Sequence, residues 1–188
     1  VDEVALVPCH IPPHRGETGA TSEQRLHLLE LAIAGERGLT VDDRELRRAG
    51  ASYTADTLRQ LRAELGEHEP LVMVVGTDAF AGFDRWREWE AIPQLAHVVV
   101  VRRPGPQLNP QSAAATLFRE RAEEASHDLH AAPCGRFLVL DPPLLDISAT
   151  GIRARIADGR SPRYLLPDPV WREICRLGLY GACPEGGF

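Results

Sequence analysis

Three polar residues, Ser148, Thr150 and Arg153, follow an apolar run at residues 137–140 that predicts a strand. Ser148 is a favoured N-terminal cap for the next helix, which Gly159 would end. The first N–H groups of a helix have no acceptor within it and, with the helix dipole, they attract anions. Two hydroxyls and a planar guanidinium would strengthen phosphate binding. Taken alone, this pattern favours an ordinary capped surface helix; the segments below make a phosphate site the better interpretation.

A second polar pair, His14 and Arg15, follows a short apolar run at residues 4–7 that predicts a buried strand. Prolines at positions 12 and 13 stiffen the intervening loop. An imidazole and a guanidinium would then lie at the carboxyl end of a parallel strand, where open α/β sheets bind ligands. A solvated proline loop is an equally good interpretation of this segment by itself.

A second helix start is predicted at Thr54, a favoured N-cap residue. The helix would carry Leu58, Leu61 and Leu65 on its buried face. It would offer another set of unpaired N–H groups at its N-terminus. After it, the apolar run at residues 71–75 shows no alternation, which predicts a central parallel strand buried on both faces.

Gly76 and Asp78 follow that strand. Glycine permits close backbone approach, and the carboxylate could accept hydrogen bonds from a ribose or an ammonium group. Trp86 and Trp89 come next, and their spacing would place both on one side of a helix. Either both indoles belong to the core, or one of them is a platform on which a flat ring stacks.

Composition narrows the class of protein. The chain has 188 residues, a net charge of −6, and 44% hydrophobic residues, which is typical of a soluble globular protein without a general nucleic-acid footprint. No apolar run approaches the ~20 residues of a membrane span, and no signal peptide opens the chain, so we expect a cytoplasmic protein with reduced thiols. Cys9, His10 and His14 lie close together, but the prolines prevent a shared helical face, so a metal site is not favoured.

Strand and helix patterns alternate, with further strands predicted at residues 39–41 and 97–101. Residues 42–46 are expected to continue extended, and residues 112–125 to form a peripheral helix. This alternation predicts the α/β class, as a doubly wound, Rossmann-like parallel sheet with its ligand at the carboxyl edge.

Two more helices complete the prediction. Thr21 or Ser22 would cap one that ends near Gly35, and a last helix through Leu177 would end at Gly178. We expect a single domain over residues 1–183, followed by a flexible tail at residues 184–188.

Four segments, in this order, resemble nicotinate-nucleotide adenylyltransferases of the nucleotidyltransferase α/β superfamily. They are Val7-Pro8 with Pro12-Pro13-His14-Arg15, Ser52-Tyr53-Thr54 with Asp56-Thr57-Leu58, Gly76-x-Asp78-Ala79-Phe80 with Trp86 and Trp89, and Ile147-Ser148-x-Thr150-x-Ile152-Arg153. The resemblance covers nearly the whole chain except residues 106–134. Each segment alone is a weak signal, but the combination is specific.

The resemblance implies transfer of AMP from MgATP to nicotinate mononucleotide, with release of pyrophosphate and formation of the deamido form of NAD. Such enzymes use a direct in-line attack by the mononucleotide phosphate without a protein nucleophile. Catalysis then rests on positioning and charge stabilisation. The expected partners are ATP, carrying Mg²⁺, and nicotinate mononucleotide, with no nucleic acid and no membrane; a homo-oligomer is left open.

Carried over residue by residue, the resemblance implies two sets of binding residues. The ATP set has Gly76, Asp78 and Arg103 on the adenosine side and Ser148, Thr150 and Arg153 at the phosphates. The mononucleotide set has Thr54 with Tyr53 at the nicotinate carboxylate, Trp86 stacked on the pyridine ring, and Cys9, His14 and Arg15 near the phosphate. The expected catalytic residues are His14, Arg15 and Arg153.

The sequence departs from the family pattern at two places. Cys9 stands where relatives often carry Asn or another small residue, which affects one side-chain phosphate contact. The first strand, glycine-rich turn and His-x-Gly-His pair of the family do not precede Val1, so we expect a truncated chain with weak or no activity and an apolar sheet edge prone to association. The alternatives are a non-catalytic nucleotide-binding remnant and an adenylyltransferase for nicotinamide mononucleotide.

Overall fold

The structure is a computed structural model that describes residues 3–10, 19–103, 108–123 and 126–182. These residues form two compact units, which are described separately. Unit 1 comprises Val1–Ser52 and Leu145–Phe188, and unit 2 comprises Tyr53–Leu144. A single domain over residues 1–183 stays a prediction, and the predicted flexible tail lies outside the described residues.

Helices and strands alternate along the chain. The strands are β1 Val4–Leu6, β2 Leu39–Val41, β3 Val72–Gly76, β4 His97–Val101, β5 Ala122–Glu123 and β6 Phe137–Leu140. The α-helices are α1 Ser22–Ile33, α2 Arg44–Arg47, α3 Thr54–Leu65, α4 Thr77–Phe80, α5 Ile92–Leu95, α6 Ala113–Arg121, α7 Ala149–Ala157 and α8 Asp168–Arg176. Among the described residues, no helix is both long enough and apolar enough to cross a membrane.

Unit 2 contains a four-stranded sheet with the order β3-β4-β6-β5, in which every pair of neighbours is parallel. The first four residues of β4 are buried because β3 and β6 pair with it on either side. This sheet and its helices confirm the predicted α/β class. The prediction of a central, fully buried strand is wrong for β3, which has β4 as its only neighbour among the described strands and leaves Val74 60% exposed.

Unit 1 contains a parallel pair of short strands, in which Val4 of β1 lies opposite Leu39 of β2. The prediction of a buried first strand is wrong, because Val4 is 40% exposed and Ala5 is also exposed. Within the described residues β1 has β2 as its single neighbour, and an isolated two-stranded pair cannot cover both of its faces.

Aromatic rings fill the core of unit 2. Phe83 and Phe137 are fully buried, with ring centroids 6.4 Å apart and nearly perpendicular planes. Phe80 packs 5.0 Å from Phe83, and Phe118 of α6 packs 5.6 Å from Phe137. The two contacts of Phe137, with Phe83 and with Phe118, are edge-to-face and add specific geometry to the burial of apolar area. Together, the aromatic contacts attach α4 and α6 to β6.

The core of unit 1 lies between α7, α8 and α1. Ile156, Val170, Ile174 and Leu179 are buried there, and apolar residues of α1 pack against them. The predicted end of α8 is confirmed, because Gly178 adopts a left-handed conformation (φ 63°) directly after the helix and Leu179 packs back.

Several local predictions need correction. Residues 42–46 do not continue extended; Asp42 accepts a hydrogen bond from the Arg44 amide at 3.0 Å, and the chain turns into α2. Leu65 at the end of α3 is 46% exposed and not on its buried face. The helix predicted at residues 112–125 ends at Arg121, because the chain becomes extended and pairs with β6 as β5.

His97 is a fully buried titratable group in the centre of unit 2. Its Nε2 lies 2.7 Å from the Ala132 carbonyl, and its Nδ1 accepts a hydrogen bond from the Arg136 amide at 3.1 Å. Burial lowers the pKa of His97, because the charged imidazolium would lose its hydration. The neutral ring therefore links β4 to the residues that precede β6.

The lowered pKa of His97 predicts an acid-sensitive contribution to stability. The unfolded chain binds a proton below a pH of about 6.5, whereas folded His97 stays neutral to lower pH. The free energy of unfolding should therefore fall between pH 7.5 and 5.5, and the part due to this residue is at most about 1.4 kcal/mol. Urea unfolding at both pH values should show a smaller fall in His97→Gln than in the parent. His68→Gln, which changes an exposed histidine, should keep the parental fall; equal falls in all three proteins would contradict the assignment.

Candidate active site

The N-terminus of α7 has the predicted capped geometry. Ser148 is the N-cap in an extended conformation, and its Oγ accepts a hydrogen bond from the Gly151 amide at 3.0 Å. The Ile152 amide donates to the Ser148 carbonyl at 2.9 Å, which begins the regular helical pattern. A Cβ on residue 151 would lie 3.1 Å from Ser148 Oγ, so glycine leaves room for the cap.

Thr150 and Arg153 lie next to each other on the first turn of α7. Arg153 Nη2 donates to Thr150 Oγ1 at 3.4 Å, and the guanidinium carbon lies 6.0 Å from the centre of the Tyr180 ring. Ser148 and Thr150 are exposed. Unit 1 thus presents two hydroxyls, a guanidinium and a helix N-terminus together, which is a combination suited to binding phosphate.

The loop after β1 is tied to α1 by a polar network. Ser22 Oγ and Arg25 Nη2 both donate to the His10 carbonyl, at 3.0 and 2.9 Å. His10 Nδ1 lies 3.0 Å from Ser22 Oγ, and the His10 amide donates to Ser52 Oγ at 3.1 Å. Arg25 was not predicted from the sequence; its spacing of three residues from Ser22 on a helix is the signal that could have indicated it. His14 and Arg15 lie outside the described residues.

Cys9 belongs to the same part of unit 1. Its thiol is half-buried and within hydrogen-bonding reach of Ser52 and of the buried Glu45. Burial raises the pKa of the Cys9 thiol, and the negative charge of Glu45 acts in the same direction. Cys9, Cys134 and Cys175 are all free thiols, and the described residues contain no group of three or more metal-binding side chains.

The N-terminus of α3 differs from the prediction. The N-cap is Tyr53, whose carbonyl accepts from the Asp56 and Thr57 amides at 3.1 and 3.2 Å. Thr54 is the first residue of the helix, and no side chain caps this end. The prediction of Thr54 as the cap is therefore wrong. The first N–H groups of α3 have no helical acceptor, so this end can receive an anion.

Trp86 and Trp89 do not share a helical side, contrary to the prediction. Each belongs to a different short 3-10 turn, Phe83–Arg85 with Trp86 at its end and Trp89–Ala91, and Glu88 between them is left-handed. Both indoles nevertheless pack on Phe83, with ring centroids 5.4 and 5.8 Å from it. Both remain half-buried. Trp86 is therefore attached to the core on one side without being enclosed by it.

Charged residues lie near the N-terminus of α3, and three of them, Arg59, Arg87 and Glu88, were not predicted as site residues from the sequence. Arg59 forms ion pairs with Asp56, at 3.1 Å, and with Glu88. The Arg87 guanidinium lies 4.6 Å from the centre of the Tyr53 ring, in cation–π contact. The pair of Arg59 and Glu88 joins residues 29 positions apart, so no local pattern could have indicated it.

The structure brings together the predicted residues at the carboxyl ends of β3 and β4. Arg103 Nη1 lies 3.9 Å from Asp78 Oδ1, and the Arg103 amide donates to Thr77 Oγ1 at 2.9 Å. A Cβ on residue 76 would lie 2.5 Å from Asp78 Oδ1 and 2.9 Å from Arg103 Cδ, so Gly76 permits this close approach. Unit 2 thereby places a carboxylate and a guanidinium at the edge of the sheet where open α/β folds bind nucleotides.

A parallel α/β fold with polar groups at its strand ends and helix N-termini is typical of nucleotide-binding proteins. The family model for cytidylyltransferase-like proteins matches residues 1–155. A probable nicotinate-nucleotide adenylyltransferase of Marinobacter nauticus is 65% identical over 187 residues, covering all of this chain and 87% of the relative. One from Cellvibrio japonicus is 48% identical over 180 residues, covering 96% of this chain and 85% of the relative.

A solved structure adds evidence on the fold alone. The nicotinic acid mononucleotide adenylyltransferase of Plasmodium falciparum, complexed with NaAD, superposes with a TM-score of 0.66 at 13% identity, covering 98% of this chain and 85% of that one. The chain therefore belongs to the cytidylyltransferase-like family of nucleotidyltransferases and, within it, to the nicotinate-nucleotide adenylyltransferases. The family resemblance deduced from the four sequence segments is confirmed.

The cap geometry predicts the effect of removing the Ser148 hydroxyl. Ser148 and Ser112 each cap a nine-residue helix, and each accepts a hydrogen bond from the amide three residues later. Ser148→Ala and Ser112→Ala should each lower the free energy of unfolding by about 1 kcal/mol, because one amide loses its acceptor. Urea unfolding followed by circular dichroism measures both. A loss from Ser112→Ala alone would contradict the Ser148 cap.

Proposed function

We propose that this nucleotidyltransferase transfers the adenylyl group of ATP to nicotinate mononucleotide, forming nicotinate adenine dinucleotide and pyrophosphate in NAD biosynthesis. The observation that carries the proposal is the 65% identity to a probable nicotinate-nucleotide adenylyltransferase over the whole chain. A phosphate oxygen of the mononucleotide attacks the α-phosphorus of ATP, a new P–O bond forms, and the bond to the pyrophosphate leaving group breaks. We expect the reaction to take place in the cytoplasm, where both nucleotides are available.

Unit 1 would bind phosphate. Ser148 and Thr150 would donate hydrogen bonds to the phosphates of ATP, which enters as its Mg²⁺ complex. Arg153 would bind these oxygens through its guanidinium and stabilise the charge that grows on the leaving pyrophosphate. His14 and Arg15 would lie near the phosphates of both substrates, and Cys9 near that of the mononucleotide. Exposure of Ser148 and Thr150 and their place on the first turn of α7 support this assignment.

Unit 2 would bind the two nucleosides. The N-terminus of α3, with Tyr53 and Thr54, would receive the nicotinate carboxylate, since its amides lack a side-chain cap. Trp86 would stack on the pyridine ring, because its half-buried indole rests on Phe83 and can present its remaining surface to a ligand. Gly76, Asp78 and Arg103 would line the adenosine side of ATP.

The nicotinate carboxylate distinguishes this proposal from an adenylyltransferase for nicotinamide mononucleotide. A helix N-terminus favours an anion over a neutral amide by electrostatics. Pyrophosphate release with ATP and either mononucleotide should therefore be faster with the nicotinate form. Equal or faster turnover of the nicotinamide form would overturn the preference. Calorimetric binding of both substrates without any turnover would instead support a non-catalytic remnant.

Arg153→Ala should damage the use of ATP. Loss of one charged contact to the transition state should cost about 2–4 kcal/mol, or roughly 30- to 1000-fold in kcat/KM for ATP. Arg160→Ala is a matched control, because it removes another arginine of unit 1 that pairs with Asp158 at 2.8 Å just after α7. Steady-state kinetics should leave the control near the parent, and a parental kcat/KM in Arg153→Ala would remove Arg153 from the phosphate site.

Trp86→Ala should weaken mononucleotide binding. Loss of one stacking contact is worth about 1–3 kcal/mol, so the KM for nicotinate mononucleotide should rise roughly 5- to 150-fold while the KM for ATP changes little. Trp89→Ala is the control, because Trp89 also packs on Phe83 and shares its structural environment. If both variants raise the mononucleotide KM equally, Trp86 acts through the core and not through stacking.

A further inference from the structure

A long-range ion pair joins α3 to the turn that carries Trp86, here called the Trp86 turn (residues 86–89). Arg59 on α3 pairs through Nη2 with Glu88 in this turn and through Nη1 with Asp56 Oδ1 at 3.1 Å. The Arg59 and Glu88 side chains are 42% and 41% exposed. The hydrogen bond from Arg59 lowers the pKa of the Glu88 carboxyl, so the pair stays charged at neutral pH.

The backbone of the Trp86 turn depends on an unfavourable conformation. Glu88 has φ 53° and ψ 37°, in the left-handed region that residues with a Cβ disfavour. The Trp89 amide donates a hydrogen bond to the Trp86 carbonyl at 3.2 Å. Because Glu88 lies inside this hydrogen-bonded turn, its conformation sets the path of the backbone after Trp86. Such a conformation persists only when the surroundings hold it, and the ion pair with Arg59 is a contact that can do so.

Trp86 is thus held from two directions. On the core side, the Phe83 ring packs on the Trp86 indole with centroids 5.4 Å apart. On the other side, Glu88 of the same turn pairs with Arg59, which lies on α3 one helical turn after Asp56. Arg87 also contacts the N-cap residue, with its guanidinium 4.6 Å from the Tyr53 ring centre. Two arginines therefore connect the Trp86 turn to the N-terminal turns of α3: Arg59 reaches from the helix to Glu88, and Arg87 reaches from the turn to Tyr53.

We propose that Arg59 is a positioning residue for the mononucleotide: through Glu88 it fixes the Trp86 indole relative to the N-terminus of α3. This inference rests on the proposed function, in which the helix end receives the nicotinate carboxylate and Trp86 stacks on the ring. The carboxylate is attached directly to the pyridine ring, so the two contacts must keep a fixed spacing. A link between the two protein elements supplies that spacing before the substrate binds.

Two substitutions test the link from its two ends. Arg59→Gln and Glu88→Gln should each raise the KM for nicotinate mononucleotide about two- to five-fold, the range expected for an exposed ion pair. The KM for ATP and kcat should stay within error. The double variant should exceed the larger single effect only slightly, because both changes break the Arg59–Glu88 pair and differ only in the pairs of Arg59 with Asp56 and of Glu88 with Arg87. Arg176→Gln is the control, since it breaks the ion pair of an exposed arginine with the largely buried Glu173 side chain in unit 1 and should leave every constant at the parental value.

The sign of the Glu88→Gln effect separates positioning from simple electrostatics. This variant removes a negative charge near the helix end, so an electrostatic effect alone would lower the KM for an anionic substrate. Loss of the link raises it. An unchanged or lowered mononucleotide KM in Glu88→Gln overturns the proposal, as does an equal rise in the KM for ATP. If Arg59→Gln folds poorly, as shown by a lowered Tm, Glu88→Gln alone decides the matter.

The parent protein and the Trp86→Ala variant, measured in the same assay, test the proposed function separately from this inference. If the parent does not turn over nicotinate mononucleotide, the proposed function fails and the inference fails with it. If the parent is active and Trp86→Ala raises the mononucleotide KM while Arg59→Gln and Glu88→Gln do not, only the inference is wrong.

Discussion

The pairing of β4 with β3 on one side and β6 on the other is the interaction on which unit 2 depends. Four successive residues of β4 are buried, so this strand cannot tolerate polar side chains without internal partners. His97 meets that condition through the Ala132 carbonyl and the Arg136 amide. With β4 fixed, the ends of β3 and β4 lie side by side, which brings Asp78 and Arg103 together.

In the proposed function, each unit presents a helix N-terminus to an anionic group of a substrate, but the two helix ends differ in their capping and charge. In unit 1, Ser148 occupies one amide of α7 and Arg153 supplies a positive charge one turn later. In unit 2, α3 has no side-chain cap, and its neighbouring charges, Asp56 and Glu88, are compensated by Arg59. The N-terminus of α7, with its cap and an added cation, suits a highly charged triphosphate. The N-terminus of α3, where Arg59 neutralises the nearby carboxylates, suits a single carboxylate group.

Local patterns predicted most strands, the helix at Ser148 and the polar residues at strand ends, because burial and capping act over a few residues. They failed where distant contacts decide the backbone. Thr54 is a better cap by residue type than Tyr53, yet Tyr53 holds the position, with Arg87 over its ring. The two tryptophans have helical spacing, yet a left-handed Glu88 separates them, and Arg59, its partner, lies 29 residues earlier.

The environment of Cys9 also has a consequence for the chemistry of its thiol. Peroxide and alkylating agents attack a thiolate and not a thiol, and this side chain is held in its protonated form by burial and by Glu45. At neutral pH the Cys9 thiol is therefore oxidised to a sulfenic acid more slowly than an exposed cysteine with an ordinary pKa.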